Sequence, residues 1–461
     1  MLQHSQQSFC RSPWHMDLFI RALKETEDLN PGLDSLAVVR NLRRLAGCVD
    51  PFVQNFLGVM SNSSEDKPLF LDYWLSGFVG RGIYHSITDS GREEGVFLAR
   101  DGTTVALAPL LMGIEAGLQQ EANSPLSGLY PVTLAKNLGL SFLHFNSSLI
   151  SEKLGPDGCW DNVTSPKIFT LSGTTSGTTD AWINGGMDGV ILGRHLSGLT
   201  ERPLKISDVL EGYYCHRVEG LGLDAAHHLI STLRRQNFRE LANVSVLQEQ
   251  VLASLNVYWK LGGEAERVPQ TELQKIIQEG VHEFVHRYME CPMIISRCQW
   301  GARPYRGWPT RLALPLSSMF IHHTNHHQPC HTFQHCAEKM RAMQLFHQDG
   351  RGWDDIGYSF VAGSDGYLYE GRGWQWRGAH TRGHNSQGYG VAFIGNYTMG
   401  RPPQRSLELV QHHLATCAVS AGRLVGNFTL HGHRQLVNTT CPGDGLYSEI
   451  MGWEHFRVKE G

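Results

Sequence analysis

Hydrophobic spacing changes character near residue 290 of this 461-residue chain. Residues 1–290 read as a helix-rich region with occasional strand signals. Glu94–Leu107 (EGVFLARDGTTVAL) alternates as two short β runs around an Asp101-Gly102 turn, which predicts a hairpin, and Pro109–Leu118 then turns helical. Leu171–Thr179 (LSGTTSGTT) reads as a loop. The clearest upstream element comes last. Leu273, Ile276, Ile277, Gly280, Val281, Phe284 and Tyr288 recur at helical spacing, with Thr271 and Gln274 as a capping box and Glu290-Cys291-Pro292 as the stop. This stripe reads as a packing face.

From Cys291 the pattern alternates. Met319–Thr324, Gly357–Ala362, Tyr367–Glu370, Tyr389–Asn396 and Phe428–His431 read as strands, with Asp365-Gly366 as a hairpin turn. One helix is expected over Phe333–Gln348 behind a Thr332 cap. A second is expected over Leu407–Ala421, with Ser406 as cap and Gly422 as stop. The expected fold is mixed α/β: a domain over 291–461 with a central mixed β-sheet flanked by helices, preceded by a helix-rich domain over 1–290 of unknown fold.

Composition narrows the function classes. The length favours two domains, and 41% hydrophobic with 18% charged residues suits a globular chain. A formal net charge of -4 lacks the basic surface of a nucleic-acid binder, so no nucleic-acid partner is expected. No apolar run reaches the roughly 18 residues of a membrane-spanning helix, so no transmembrane segment is expected. The ten cysteines include no CxxC, which disfavours zinc-ribbon and thioredoxin-like readings. Sequons at Asn62, Asn146, Asn162, Asn243, Asn396, Asn427 and Asn438 favour a secreted glycoprotein. The N-terminus shows neither an apolar signal core nor a small-residue cleavage site. The expectation is therefore a secreted chain that is processed, truncated or alternatively started.

Residues 1–290 contain no metal-spaced cluster, phosphate loop or nucleophile elbow. The chemistry lies downstream, where IHHT at Ile321–Thr324 and HGHRQLVNTTCPG at His431–Gly443 offer His322, His433 and Cys441. Two imidazoles and a thiolate suit Zn²⁺, and three protein ligands leave a position open, as catalytic zinc requires. Histidines crowd this region, so most of them are expected to be solvated. On a strand, His322 and Thr324 share one face and His323 takes the other. By the same alternation His431 and His433 point the same way, and either could be the second histidine ligand. A rival site, His331 and His335 beside Cys330 and Cys336, ranks below a short Cys330–Cys336 disulfide in a secretory context.

The ordered motifs IHHT, Cys330-x5-Cys336, GWDDIGYSF, GSDGYLYEGRGW, GAHTRGHNS, GVAFIGNYT and GHRQLVNTTCPG span about 291–455. This stretch resembles the peptidoglycan-recognition protein family, similar in fold to the phage zinc amidases. In the N-terminal region, EGVFLARDGTTVALAPLLMGIEAGLQ and the FTL…DGVILG region resemble the long vertebrate branch of the family. The resemblance implies one zinc on His322, His433 and Cys441. It implies an N-acetylmuramoyl-L-alanine amidase acting on bacterial peptidoglycan in innate immunity, whereas members that only bind peptidoglycan lack the cysteine. The alternative is such a non-hydrolytic peptidoglycan-binding receptor. Tyr358 matches the amidases' catalytic tyrosine, while Thr439 stands where the phage enzymes carry a catalytic lysine and is left to orient water. The muramyl-peptide groove implied by the matching motifs involves Thr324, His347, Trp353, Arg372, His380 and Asn385. Trp353 and Trp374 also read as core aromatics. Gln375-Trp376 shares only its second residue with the Gly-Trp pair that accompanies diaminopimelate-type peptidoglycan in the family. The domain's cysteines fit two bridges, Cys330–Cys336 and Cys291–Cys417, leaving Cys298 without an obvious partner.

Overall fold

The computed structural model describes residues 14–45, 51–58, 96–101, 103–120, 126–145, 180–197, 204–215, 234, 243–265, 267–285, 291–297, 299–325 and 328–458. These fall into two compact units, with 285 the last described residue of the first and 291 the first of the second. The predicted loop at 171–179 lies outside the described residues, as do His326, His327, Cys298 and the sequons at Asn62, Asn146 and Asn162.

The N-terminal unit is mostly helical. A small sheet joins β1 (Trp14–His15), β2 (Val96–Leu98) and β3 (Thr104–Ala106), and β2 pairs antiparallel with β3 as the hairpin pattern predicts. The helix after it, Leu107–Gln119, packs on Asp180–Leu196 at glycines spaced four apart. A Cβ on Gly113 would lie 2.4 Å from the Gly189 backbone, and one on Gly117 2.1 Å from Gly193 O. Any side chain there would separate the helices, so the contact is backbone on backbone. Around it sits an apolar core that includes Phe19, Leu23, Leu42, Phe97, Leu110, Ile114 and Leu210. Gln270–Val285 forms the predicted amphipathic helix, but it begins one residue before Thr271, directly after Pro269. Thr271 is therefore already inside the first turn, where its side chain cannot serve as cap.

The C-terminal unit is a six-stranded mixed sheet ordered β4-β7-β6-β8-β5-β9, with β4 (Ile294–Ile295), β5 (Leu316–His323), β6 (Phe360–Ala362), β7 (Leu368–Glu370), β8 (Gly388–Phe393) and β9 (Leu424–Gly432). Only β6–β7 is antiparallel; its turn holds Asp365, whose Oδ1 accepts from Tyr367 N, and Gly366 at φ 92°. The central strands are buried except at Ser317 near the start of β5, as parallel strands covered on both faces must be. Phe333–Leu345 packs nearby behind its Thr332 cap, whose side chain accepts from His335 N. The second helix starts earlier than expected, running Gln404–Glu408, Leu409–Leu414 and Ala415–Ser420 after Pro403, and ends at Gly422 with φ 66°. Ser406 is thus buried inside it and donates to Gly363 O at 2.9 Å. Disulfides join Cys291 to Cys417 and Cys330 to Cys336. The second bridge removes both sulfurs from the rival site at His331 and His335.

Candidate metal centre

Strand pairing assembles the centre. β5 runs parallel to β9 with Ile321 opposite Gly432, so the next residue on each chain, His322 and His433, falls side by side. Their ring centroids are 4.4 Å apart. Beyond His433 the chain makes a short turn and closes a loop in which Arg434 N donates to Cys441 O at 2.9 Å. The loop returns Cys441 Sγ to 3.7 Å from His322 Nδ1, and His323 N donates to that sulfur at 3.4 Å. The donor atoms of His322, His433 and Cys441 all lie within 4.8 Å of one another. Among the described residues this is the one cluster of three or more such side chains.

The neighbouring histidines are spent elsewhere. His323 faces the other side of β5, where its Nδ1 accepts from Tyr397 N at 3.2 Å. His431 contacts Thr429 Oγ1 and Arg457 O through its two ring nitrogens, both at 3.1 Å, away from the trio.

Burial governs the electrostatics. It lowers the His322 pKa well below the ordinary value, with neighbouring His433, His380 and His323 adding to the effect. Burial also lowers His433 to about 4 and pushes the Cys441 thiol up to about 12. Two neutral imidazoles and an uncharged thiol therefore face one point. A divalent cation reverses the sulfur's preference, because a coordinated thiol is deprotonated. The donor set fits zinc: nitrogen and sulfur ligands, three in number, with no carboxylate among them.

Tyr358 stands beside the trio, its ring 5.3 Å from that of His322. Burial first, then the nearby Cys441 sulfur, raises its pKa, so the phenol keeps its proton and can donate. Thr439 Oγ1 accepts from Cys441 N at 3.3 Å and so braces the ligand loop.

A cleft of about 560 Å³ is lined by Trp353, Arg372 and Asn385, together with Tyr305, Trp308 and Arg377. Behind this lining, Trp353 stacks on His347 at 4.7 Å and the His347 ring meets that of Tyr358 at 5.9 Å, a row of ring contacts leading from the cleft lining to the neighbour of the trio. Arg372 is 6% exposed and donates to Ile356 O, Arg377 O and Tyr305 Oη, so its position is fixed. Thr324, His347 and His380 do not line this cleft, in contrast to the expected groove. Thr324 Oγ1 accepts from Gly395 N, His347 Nδ1 accepts from Gly357 N, and His380 lies under His322. Burial lowers the His380 pKa to about 3. Sequence reading passed over Thr381, which is fully buried and has its Oγ1 3.3 Å from His322 Nε2. Its one signal is adjacency to His380 in GAHTRGHNS. Trp374 belongs to the core, packed on Phe360 and Tyr389.

The family profile described as N-acetylmuramoyl-L-alanine amidase matches residues 313–444, which contain all three donors, Tyr358 and Thr439. The chain is similar to an N-acetylmuramoyl-L-alanine amidase of Mus musculus, 41% identical over 87% of this chain and 85% of that protein. A protein of the same description from Homo sapiens is 37% identical, over 96% of this chain and 91% of its own length. Peptidoglycan-recognition protein SC2 of Drosophila simulans is 39% identical over 36% of this chain and 88% of that protein.

Proposed function

The chain belongs to the peptidoglycan-recognition amidase family, and on that premise we propose that it cleaves peptidoglycan with one zinc ion held by His322, His433 and Cys441. It is an enzyme, an amidase acting on peptidoglycan. The bond is the lactyl amide between N-acetylmuramic acid and the L-alanine of the stem peptide, and the setting is innate immunity. One observation carries the metal reading: the three donors converge within 4.8 Å at the end of a buried strand.

Each residue then has a role. His322 and His433 are neutral at physiological pH and offer lone pairs without losing a proton. Cys441 gives up its thiol proton on loading and acts as ligand, not nucleophile. The ion's contribution, when bound, is Lewis-acid polarisation of the scissile carbonyl and activation of a water. Tyr358 donates its phenol hydrogen to the carbonyl oxygen as negative charge grows there. Thr439, lacking the charge of a lysine, holds the Cys441 backbone and leaves Tyr358 as the principal helper.

Trp353, Arg372 and Asn385 would seat the muramyl peptide in the cleft, with His347 and His380 supporting Trp353 and Asn385 from behind, while Thr324 braces the backbone at Gly395. Residues 1–290 and 291–461 act as separate domains in this reading. It also takes the chain as secreted and glycosylated, and among the described sequons Asn243, Asn396, Asn427 and Asn438 are all exposed.

The test incubates the full chain with muramyl peptides of lysine and diaminopimelate type, with and without chelator, beside Cys441→Ser. Expected are chelator-sensitive release of stem peptide by the wild type and none by Cys441→Ser, with binding of the peptides kept. Release by Cys441→Ser at the wild-type rate would overturn the zinc mechanism. Binding without release by the zinc-loaded wild type would leave a non-hydrolytic receptor.

A further inference from the structure

The His322 ring has two nitrogens with different neighbours. Nδ1 faces Cys441 Sγ, while Nε2 faces Thr381 Oγ1 at 3.3 Å. The same hydroxyl lies 3.0 Å from His380 Nδ1. All three side chains are buried, with His322 1%, Thr381 0% and His380 8% exposed. A hydroxyl has one hydrogen to give and two lone pairs to accept with, so it can donate to at most one of the two imidazoles. If Nδ1 of His322 carries the lone pair toward the ion, Nε2 carries the hydrogen and must donate. Thr381 then accepts from His322 and keeps its own hydrogen available for His380.

This chain has a built backing. Asn385 Oδ1 accepts from both His380 N, at 2.9 Å, and Thr381 N, at 2.8 Å, which fixes the turn bearing both side chains. The His380 ring fits only between two glycines: a Cβ on Gly378 would come within 2.3 Å of it, and one on Gly390 within 2.2 Å. Neither glycine has a positive φ, so space and not backbone conformation excludes a side chain there.

We propose that Thr381 and His380 are positioning residues that hold His322 in the Nε2–H tautomer, with Nδ1 turned to Cys441 and His433, and thereby set the affinity for the divalent cation. This rests on the zinc reading above. Orientation of a ligating histidine through its second nitrogen is worth about 10–100-fold in metal affinity. Thr381→Val keeps the shape, removes the acceptor and leaves a buried N–H unpaired.

The experiment measures zinc affinity of the full chain by chelator competition for wild type, Thr381→Val, Thr381→Ser and Cys441→Ser. Thr381→Val is expected to bind zinc about 10–100-fold more weakly, while Thr381→Ser, which restores the hydroxyl, stays within a few-fold of wild type. Circular dichroism and the melting transition check that each variant is folded. Nitrogen-15 spectra of histidine-labelled wild type provide a second readout that does not depend on any variant folding. His322 is expected as the Nε2–H tautomer. Wild-type affinity in a folded Thr381→Val, or the Nδ1–H tautomer in the wild type, overturns the positioning role alone. A wild type whose zinc binding is absent or indifferent to Cys441→Ser overturns the zinc reading, and this inference with it.

Discussion

In the N-terminal unit, two buried acids, Asp188 and Glu115, are matched by buried bases. Asp188, with no exposure, takes two 2.7 Å hydrogen bonds from Arg234 and two of 2.6 Å from Tyr213 and Tyr214, and Glu115 is gripped by Arg43 at 2.7 and 2.8 Å. At the end of β5 in the C-terminal unit, His322, His433 and Cys441 converge with no carboxylate or guanidinium in the set. The first arrangement cancels its own charge and needs nothing more, because a paired and fully hydrogen-bonded ion pair is the form in which charge survives burial. The second presents only electron-pair donors, kept uncharged by burial, and on the proposed reading a cation brought from outside completes it. The difference separates a structural polar network from a site, although both are buried and both are dense in titratable groups.

The comparison can be broken first at Asp188. Asp188→Ala strands the Arg234 guanidinium in the core and is expected to cost about 3–5 kcal/mol of stability in the N-terminal unit. Urea unfolding measures this, with peptide release per folded molecule expected to stay at the wild-type level. If zinc content or release fell with it, the network would not be purely structural.

Tyr358→Phe probes the other side. Loss of the phenol hydrogen is expected to reduce kcat by about 10²–10³-fold, in line with removal of a single oxyanion donor. Zinc content should stay at one per chain, and metal analysis beside single-turnover kinetics tests both. A rate within a few-fold of wild type would remove Tyr358 from the chemistry.

The smallest effect sharpens the comparison within the C-terminal unit. Burial pushes Asp365 up to about 6 from 3.8, although Tyr369 Oη and Tyr367 N donate to it. A carboxyl whose folded pKa is raised favours the folded state when protonated. Its contribution is therefore fully present below about pH 4 and is lost as pH rises through 6. The loss amounts to roughly 2–3 kcal/mol. Asp365→Asn should flatten that part of the stability profile between about pH 4 and 6.5, read from unfolding midpoints. An unchanged slope would mean that Asp365 is as well compensated as Asp188.

Local pattern separated His322 from His323, because strand alternation puts the two on opposite faces. The choice of His433 over His431 was different. It depends on β9 pairing with β5 in one register, a contact between segments more than a hundred residues apart, and the family motif supplied what alternation could not. Helix starts misled for a related reason. Ser406 and Thr271 have the side chains of caps, yet the helices begin earlier, directly after Pro403 and Pro269. Asp188 gave no local signal and Thr381 only its adjacency to His380, since a threonine or an aspartate reads as solvent-facing until its partner from another segment is known. The Gly113, Gly117, Gly189 and Gly193 spacing was visible in the chain, but a four-residue repeat of glycine does not say which helix it meets.

The parallel register of β5 and β9 also sets a limit on how this chain can change. Because Ile321 lies opposite Gly432, a single-residue insertion or deletion in the paired part of either strand would carry one histidine past the other and turn its side chain to the opposite face. Length variation should therefore be excluded from 318–322 and 429–433 and collect in the exposed loop around Met399, where no strand alignment is at stake.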